Sequence, residues 1–266
     1  MIDRLPRPRP RLVATTLATV LASCALTPLS HRINVGEEPF LVFVGEGADR
    51  HTDLFAVQAG GGAVIQLTFT PQVEWHPRLA PDGKSLAFLR ARDSLPTTDR
   101  QVVLMDLVTG NERTVTLPDQ AGRPQDLGWS PDGAGIYIGA DHGLWRADAR
   151  TATAGAVRME GTDSVRAVAA LQIWLGHPPF ARVIPCTSGG LCVLTVHGDT
   201  GALAPTGHDP VRWGDDSVGW FDGSDLYVRP LGPGVRRRIG WTNAPSNPHD
   251  ATYAPGATPP ADTRRT

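Results

Sequence analysis

One turn recurs along this chain. Ala80-Pro81-Asp82-Gly83 precedes the apolar run Leu86–Leu89, and Trp129-Ser130-Pro131-Asp132-Gly133 precedes Ile136–Ile138. A weaker copy, Trp213-Gly214-Asp215-Asp216, precedes Val218–Phe221. In such a turn Pro fixes φ, Asp accepts from its own following backbone, and Gly takes positive φ at no steric cost. Each copy is therefore predicted to join two antiparallel strands. With Leu79, Trp129 and Trp213 taken as equivalent, the steps are 50 and 84 residues. The second is twice 42 and leaves room for one degenerate unit near Leu171. Upstream, Leu41–Val44 matches Leu86–Leu89 at a step of 45. A period in the forties is that of four-stranded propeller blades.

The rest of the chain agrees. Short apolar runs alternate with turns at Leu41–Val44, Leu54–Val57, Val64–Leu67, Leu86–Leu89, Val102–Leu107, Arg113–Leu117, Ile136–Ile138, Val183–Ile184, Leu191–Val196 and Leu226–Val228. Long apolar periodicity of 3.6 residues is missing, and 29 Gly and 24 Pro interrupt the chain too often for it. The expected class is all-β. Units beginning at Leu41, Leu79 and Trp129, a degenerate unit over 165–207 and a unit from Trp213 to Gly240 make a β-propeller of about five blades. Six stay open if the segment around Tyr253 and residues 26–39 build another. Tyr253-Ala254-Pro255-Gly256 starts a unit that the chain does not complete. It either pairs with the first blade and closes the ring or is tail. The propeller is assigned to 40–256, and 257–266 reads as a disordered tail.

These residues resemble the WD-like propeller repeat of the TolB family. Two further pieces match it. One is Asp53-Leu54-Phe55-Ala56-Val57 with Gly60-Gly61-Gly62, ending in Gln66-Leu67-Thr68. The other is Val102–Leu107 with Thr109-Gly110 after it. The match is good over 40–150 and fades through 160–240. TolB proteins carry an α/β domain before the propeller, so a Tol–Pal role does not transfer by resemblance. Repeats of this kind specify a fold and say little about activity.

The N-terminus sets the compartment. Arg4, Arg7, Arg9 and Arg11 precede an uncharged stretch, Leu12–Ala22, which is long enough for a signal h-region and too short to span a bilayer. It ends in Leu21-Ala22-Ser23-Cys24, which resembles the lipobox of bacterial lipoproteins. The resemblance implies a signal peptide over 1–23, cleavage before Cys24, a diacylglycerol on the Cys24 sulfur and acylation of the new amine. A thiolate is the nucleophile that accepts the lipid. Residues 24–39 are then a lipidated N-terminus and linker. The expected location is the cell membrane or outer membrane, with the propeller facing the periplasm or the extracellular side. Cys186 and Cys192 flank a Gly-containing turn between two apolar runs, so a hairpin could bring them into disulfide range. The alternative is two free buried thiols.

Residues 1–23 hold four Arg and one Asp of the chain's 25 basic and 27 acidic residues, so without them the formal charge is near −5. No basic face suggests nucleic acid. Arg236-Arg237-Arg238 reads as a solvated strand or hairpin face. Local catalytic signatures are missing: there is no Gly-x-Ser-x-Gly, no His-Glu-x-x-His, no phosphate loop and no dinucleotide fingerprint. Gly60-Gly61-Gly62 reads as a turn between strands. Eight scattered His lack ligand spacing and read as exposed loop residues. Trp129 and Trp213 read as inter-blade packing, while Trp75, Trp145, Trp174, Trp220 and Trp241 are candidates for a binding face. No catalytic residue, metal site or cofactor is expected. The expected role is a membrane-anchored, non-enzymatic platform that binds an envelope protein or serves as accessory subunit of a membrane complex. The rival is an enzyme or small-ligand receptor using the channel mouth, which a convergent cluster of buried Asp, Glu or His there would favour. The connection Arg92–Arg100 and the stretch Gly176–Phe180 are the candidate partner loops.

Overall fold

The computed structural model describes residues 29, 32–47, 50–93, 99–130, 132–151, 155–159, 181–185, 190–195, 200–214, 217–231 and 233–256. Residues 1–23, expected to be a signal peptide, Cys24, Trp174, the 176–180 stretch, Cys186 and residues 257–266, expected to be a tail, lie outside them.

The turns do what their residues dictate. Asp82 Oδ1 accepts from Lys84 N at 2.9 Å and Asp132 Oδ1 from Ala134 N at 3.0 Å. Gly83 and Gly133 both take φ of +66°. Each turn joins the first two strands of one sheet, and each Asp lies three residues before the second strand.

In chain order the strands are β1 (Phe40–Glu46), β2 (Thr52–Gln58), β3 (Gly62–Ala63), β4 (Ile65–Gln66), β5 (Val73–Leu79), β6 (Ser85–Ala91), β7 (Arg100–Asp106), β8 (Glu112–Val115), β9 (Pro124–Trp129), β10 (Gly135–Ala140) and β11 (Gly143–Asp148). Then come β12 (Val157–Arg158), β13 (Ala181–Pro185), β14 (Leu191–Thr195), β15 (Thr200–Ala204), β16 (His208–Trp213), β17 (Ser217–Asp222), β18 (Asp225–Pro230), β19 (Arg237–Ile239), β20 (Trp241–Thr242) and β21 (Ser246–Ala254). Among the described residues the one helical turn is a short 3-10 element at Asp119–Ala121.

Five sheets follow one another as up-and-down meanders. Their orders are β21-β1-β2-β4, β5-β6-β7-β8, β9-β10-β11-β12, β13-β14-β15 and β16-β17-β18-β19. These are blades 1 to 5 of a β-propeller. Blade 1 takes its inner strand from the other end of the chain: β21 pairs antiparallel with β1, Leu41 opposite Tyr253. The Tyr253 segment thus completes blade 1. A second clasp lies beside it. Gly60-Gly61-Gly62 is more than a turn, because Gly62 begins β3, which pairs in parallel with β20 of the segment after blade 5.

Blade faces are apolar on both sides, so blades pack on each other. Phe40, Val42, Val44, Leu86, Phe88 and Val103 join blades 1 and 2, with Leu29 and Ile33 of the leader, the segment 29–39 before β1, added to that core. Leu89, Val102, Leu127, Trp129 and Ile138 join blades 2 and 3. Leu191, Leu203, Val218 and Trp220 join blades 4 and 5. Leu41, Phe43, Val57, Val211, Trp213 and Phe221 join blades 5 and 1. Burying each such side chain is worth about 1.5–3 kcal/mol before entropy is counted.

Trp129 and Trp213 are the inter-blade residues expected. Trp129 Nε1 donates to Arg78 O of blade 2 at 2.8 Å, and Trp213 packs at a tilt against Tyr253 of blade 1, ring centroids 5.1 Å apart. Two of the tryptophans considered for a binding face are instead core. Trp145 and Trp220 are among the largest fully buried side chains. Trp241 is half-buried against Phe43 and Phe221, and Arg100 covers Trp75 at 5.3 Å.

Candidate functional site at the channel

Strands β5, β9, β16 and β21 are the inner strands of blades 2, 3, 5 and 1. Together they line a cavity of about 520 Å³ that includes Arg78, Trp129, Asp209, Arg212, Asp250 and Tyr253. It is the propeller channel.

What shapes its wall is a repeated irregularity. β5 slips by one residue between Trp75 and Arg78, β16 between His208 and Val211, and β21 between His249 and Thr252. Each slip contains a non-glycine residue at positive φ: His76 at +53°, Asp209 at +47° and Asp250 at +47°. A bulge of this kind re-aims a side chain, and a left-handed non-glycine residue costs about 1 kcal/mol or more. Asp126 on β9 stands next to a further slip, between Gly139 and Ala140 of its partner strand. His76, Asp126, Asp209 and Asp250 all lie five residues ahead of their blade's turn, at Pro81, Pro131, Gly214 and Pro255. Blades of common design thus place a polar residue at one level of the channel.

Arg78 ties this level together. Its Nη1 donates to Asp250 Oδ1 at 3.0 Å and its Nη2 to Asp126 Oδ1 at 3.4 Å. His76 Nδ1 lies 3.5 Å from the same Asp126 oxygen, and the His76 backbone N–H donates to Asp250 Oδ2 at 2.8 Å. Asp126 is buried, while His76 keeps about a third of its side chain exposed. One guanidinium between two carboxylates leaves the inner part of the site with an excess of one carboxylate, with Asp209 and Arg212 nearer solvent. Among the described residues no group of three His, Cys, Asp or Glu is placed to hold a metal ion. The arrangement can bind a polar or charged group by paired hydrogen bonds.

A second polar cluster sits at the opposite end of blades 1 and 2. Arg90 Nε donates to Glu74 Oε1 at 2.7 Å, and its two Nη atoms hold Glu112 at 2.5 and 2.9 Å. Glu74 is buried with Oε2 lacking a partner. Burial, aided by the nearby Asp53 charge, pushes its carboxyl above the usual range against the hydrogen bonds from Thr68 and Arg90.

The channel residues escaped the sequence reading. His76, expected among exposed loop histidines, lies on the inner strand β5 with Nδ1 against Asp126. Asp126, Asp250 and Arg78 were not singled out. Among the residues that were, Cys192 is disulfide-bonded, but Cys186 lies outside the described residues, so their pairing stays a proposal. Cys24, expected from the sequence to carry a lipid, also lies outside them. Arg92 is exposed beside the 94–98 segment, which is likewise outside. Arg237 and Arg238 lie on the exposed outer strand β19, as a solvated face should.

No family model and no curated protein matches the chain. Among solved structures it is similar to TolB from Acinetobacter baumannii, at 15% identity and a TM-score of 0.42, over 81% of this chain and 66% of that one. It is also similar to a Bacteroides fragilis protein described as a candidate 6-phosphogluconolactonase, at 12% identity and a TM-score of 0.32, over 76% and 67% of the two chains. Dipeptidyl peptidase 4 from Porphyromonas gingivalis matches at 10% identity and a TM-score of 0.36, over 70% of this chain and 36% of that one. The chain thus spans just under two thirds of the TolB structure. The fold follows from the sheet order and its closure by β21: the chain is a β-propeller.

Proposed function

We propose that this chain is a membrane-anchored lipoprotein whose propeller is a non-enzymatic platform for another envelope protein, alone or as accessory subunit of a membrane complex. The observation that carries the binding reading is the set of three bulges on the inner strands, which place Asp209 and Asp250 in one cavity with Arg78 and set His76 against Asp126 and Asp250 behind it. A segment of a partner entering there meets fixed donors and acceptors, and little ordering cost falls on the propeller. The anchor rests on the lipobox-like Leu21-Ala22-Ser23-Cys24.

The test is extraction in mild detergent followed by identification of what co-purifies. Arg212→Glu and Asp209→Asn change the exposed rim of the cavity and leave the Arg78 network whole. Both should weaken association at least about tenfold if a rim contact is central, with the thermal transition unchanged. Cys24→Ala should abolish lipid labelling and release the protein from the membrane fraction. A soluble, unlabelled wild type would refute the anchor.

A second reading is supported by the convergence of His76, Asp126 and Asp250 around Arg78. A buried polar cluster in a channel also suits a small-ligand receptor or an enzyme. Turnover of a hydrolase or lyase substrate by the purified protein, lost in Asp126→Asn, would decide for it.

A further inference from the structure

Antiparallel meanders give a propeller two unlike edges. Inner strands end on one edge, so the turns between first and second strands and those between third and fourth strands share it. Hydrogen bonds confirm the pairing: Leu107 N donates to Lys84 O in blade 2, and Ala149 N to Ala134 O in blade 3, both at 2.9 Å. The leader runs along this same edge. A Cβ on Gly36 would meet the Lys84 side chain, and Gln58 Nε2 at the end of β2 reaches Arg32 O and Glu38. Leu29 is anchored in the core between blades 1 and 2. Cys24 lies only five positions before Leu29, a reach of about 17 Å when fully extended. A lipid on Cys24 therefore holds this edge, and not the opposite one, close to the bilayer.

The exposed apolar residues have the same bias. Four large hydrophobic side chains are exposed among the described residues. Val108 and Val235 sit in third-to-fourth-strand connections on the leader's edge, and Val157 begins β12 just after such a connection. Phe69 alone belongs to the other edge. Next to Val235, Arg236 lies over the Tyr227 ring at 4.8 Å and Arg237 is exposed on β19, so this corner of blade 5 joins an apolar side chain to two cations. Two turn carboxylates of that edge are held by their own backbones in other blades, away from this corner: Asp106 accepts from Val108 N and Thr109 N in blade 2, and Asp148 from Arg150 N and Thr151 N in blade 3.

We infer that this edge docks on the phospholipid surface, with Val235, Arg236 and Arg237 as its principal contact. The inference rests on the lipid-anchor reading above. One acyl-bearing residue supplies the tether, and a basic, apolar corner supplies a second contact, the combination that makes membrane association durable. Its consequence reaches the channel. Leu79, Ala80, Pro81, Ser130 and Gly214 border the cavity at this same edge, so the mouth faces the bilayer. A partner entering there has to be membrane-proximal.

The test is hydrogen exchange of the lipidated full-length product floated on vesicles of phosphatidylethanolamine and phosphatidylglycerol, compared with the same protein in detergent. Exchange at 233–237 should slow on vesicles by about fivefold or more, the effect of one arginine near an anionic surface, while 66–72 around Phe69 stays unchanged. Arg236→Glu combined with Arg237→Glu should lose that protection and still float. A wild type that floats but exchanges equally in both settings, or is protected at Phe69 instead, overturns the docking alone. A wild type that does not float overturns both the docking and the anchor.

Discussion

Arg78 Nη1 donates to Asp250 Oδ1 at 3.0 Å, joining residues 172 positions apart. The bond links the inner strand of blade 2 to the strand that closes blade 1. Asp250 also accepts the His76 backbone N–H. Asp250→Ala should therefore take one of its two carboxylate partners from a mostly buried guanidinium and leave a backbone donor without its acceptor. The expected loss is about 1–3 kcal/mol, read by denaturant unfolding. A loss under about 0.5 kcal/mol, the scale of an ordinary surface change, would mean that water replaces the pair.

Glu74 gives a pH dependence of definite sign. Burial raises its folded pKa above the unfolded value near 4.5. The folded state then binds more protons between the two values, so this residue's contribution to stability falls as pH rises through that window. Glu74→Gln keeps the shape and lacks the ionisation. Measured at rising pH from 4.5, the stability of wild type relative to Glu74→Gln should decline. A difference that grows with pH would contradict the raised pKa.

Asp141 behaves in the opposite way. Burial opposes its ionisation, but hydrogen bonds from the Arg123 backbone and side chain and from Gln125 outweigh it and bring its pKa to about 2. Its stabilising contribution is complete above the unfolded value of 3.8 and is lost as pH falls through about 2. Asp141→Asn should lower the thermal midpoint at pH 6, and the gap should close between pH 4 and 2. A gap independent of pH would assign the effect to packing.

Gly61 and Gly60 form a matched pair. Gly61 has φ of +95°, and a Cβ there would lie 2.2 Å from Gly240 O, beside the clasp in which Gly62 N donates to that oxygen at 2.8 Å. Gly60 has open space around its Cβ position. Gly61→Ala should cost at least about 2 kcal/mol and Gly60→Ala stay within about 0.5 kcal/mol. Equal midpoints for the two variants in thermal unfolding would show that the clasp does not constrain the ring.

The blades were legible because their turn chemistry and apolar runs are local. β1, β2, β6, β7, β10, β13, β14 and β18 coincide with apolar runs, and the closure by Tyr253 was one of the two outcomes foreseen. The inner strands were the hard ones. Pro77, Pro210 and Pro248 lie inside β5, β16 and β21, where proline normally argues against a strand, and Pro124 begins β9. An inner strand has one edge facing the channel with no ladder partner, so a missing N–H on that side costs nothing. The site is carried by these same strands. His76 and Asp126 are 50 residues apart, and His76 and Asp250 are 174 apart. No motif spans such distances. Their common offset from each turn becomes visible only when blade registers are laid side by side.

Because the first blade is completed by β21, the order of synthesis matters. Strand β1 leaves the ribosome early and waits for a partner at the far end of the polypeptide. Until then Phe40–Val44, fully buried in the finished ring, has one ladder edge open. A contact of such sequence separation forms late and slowly. This dependence means that the ring cannot close before β21 has been made. It also sets a hazard. A product ending before Ser246 would keep an unpaired apolar edge in every copy, a template for copies to pair with one another. Truncated fragments should therefore aggregate where the whole chain does not.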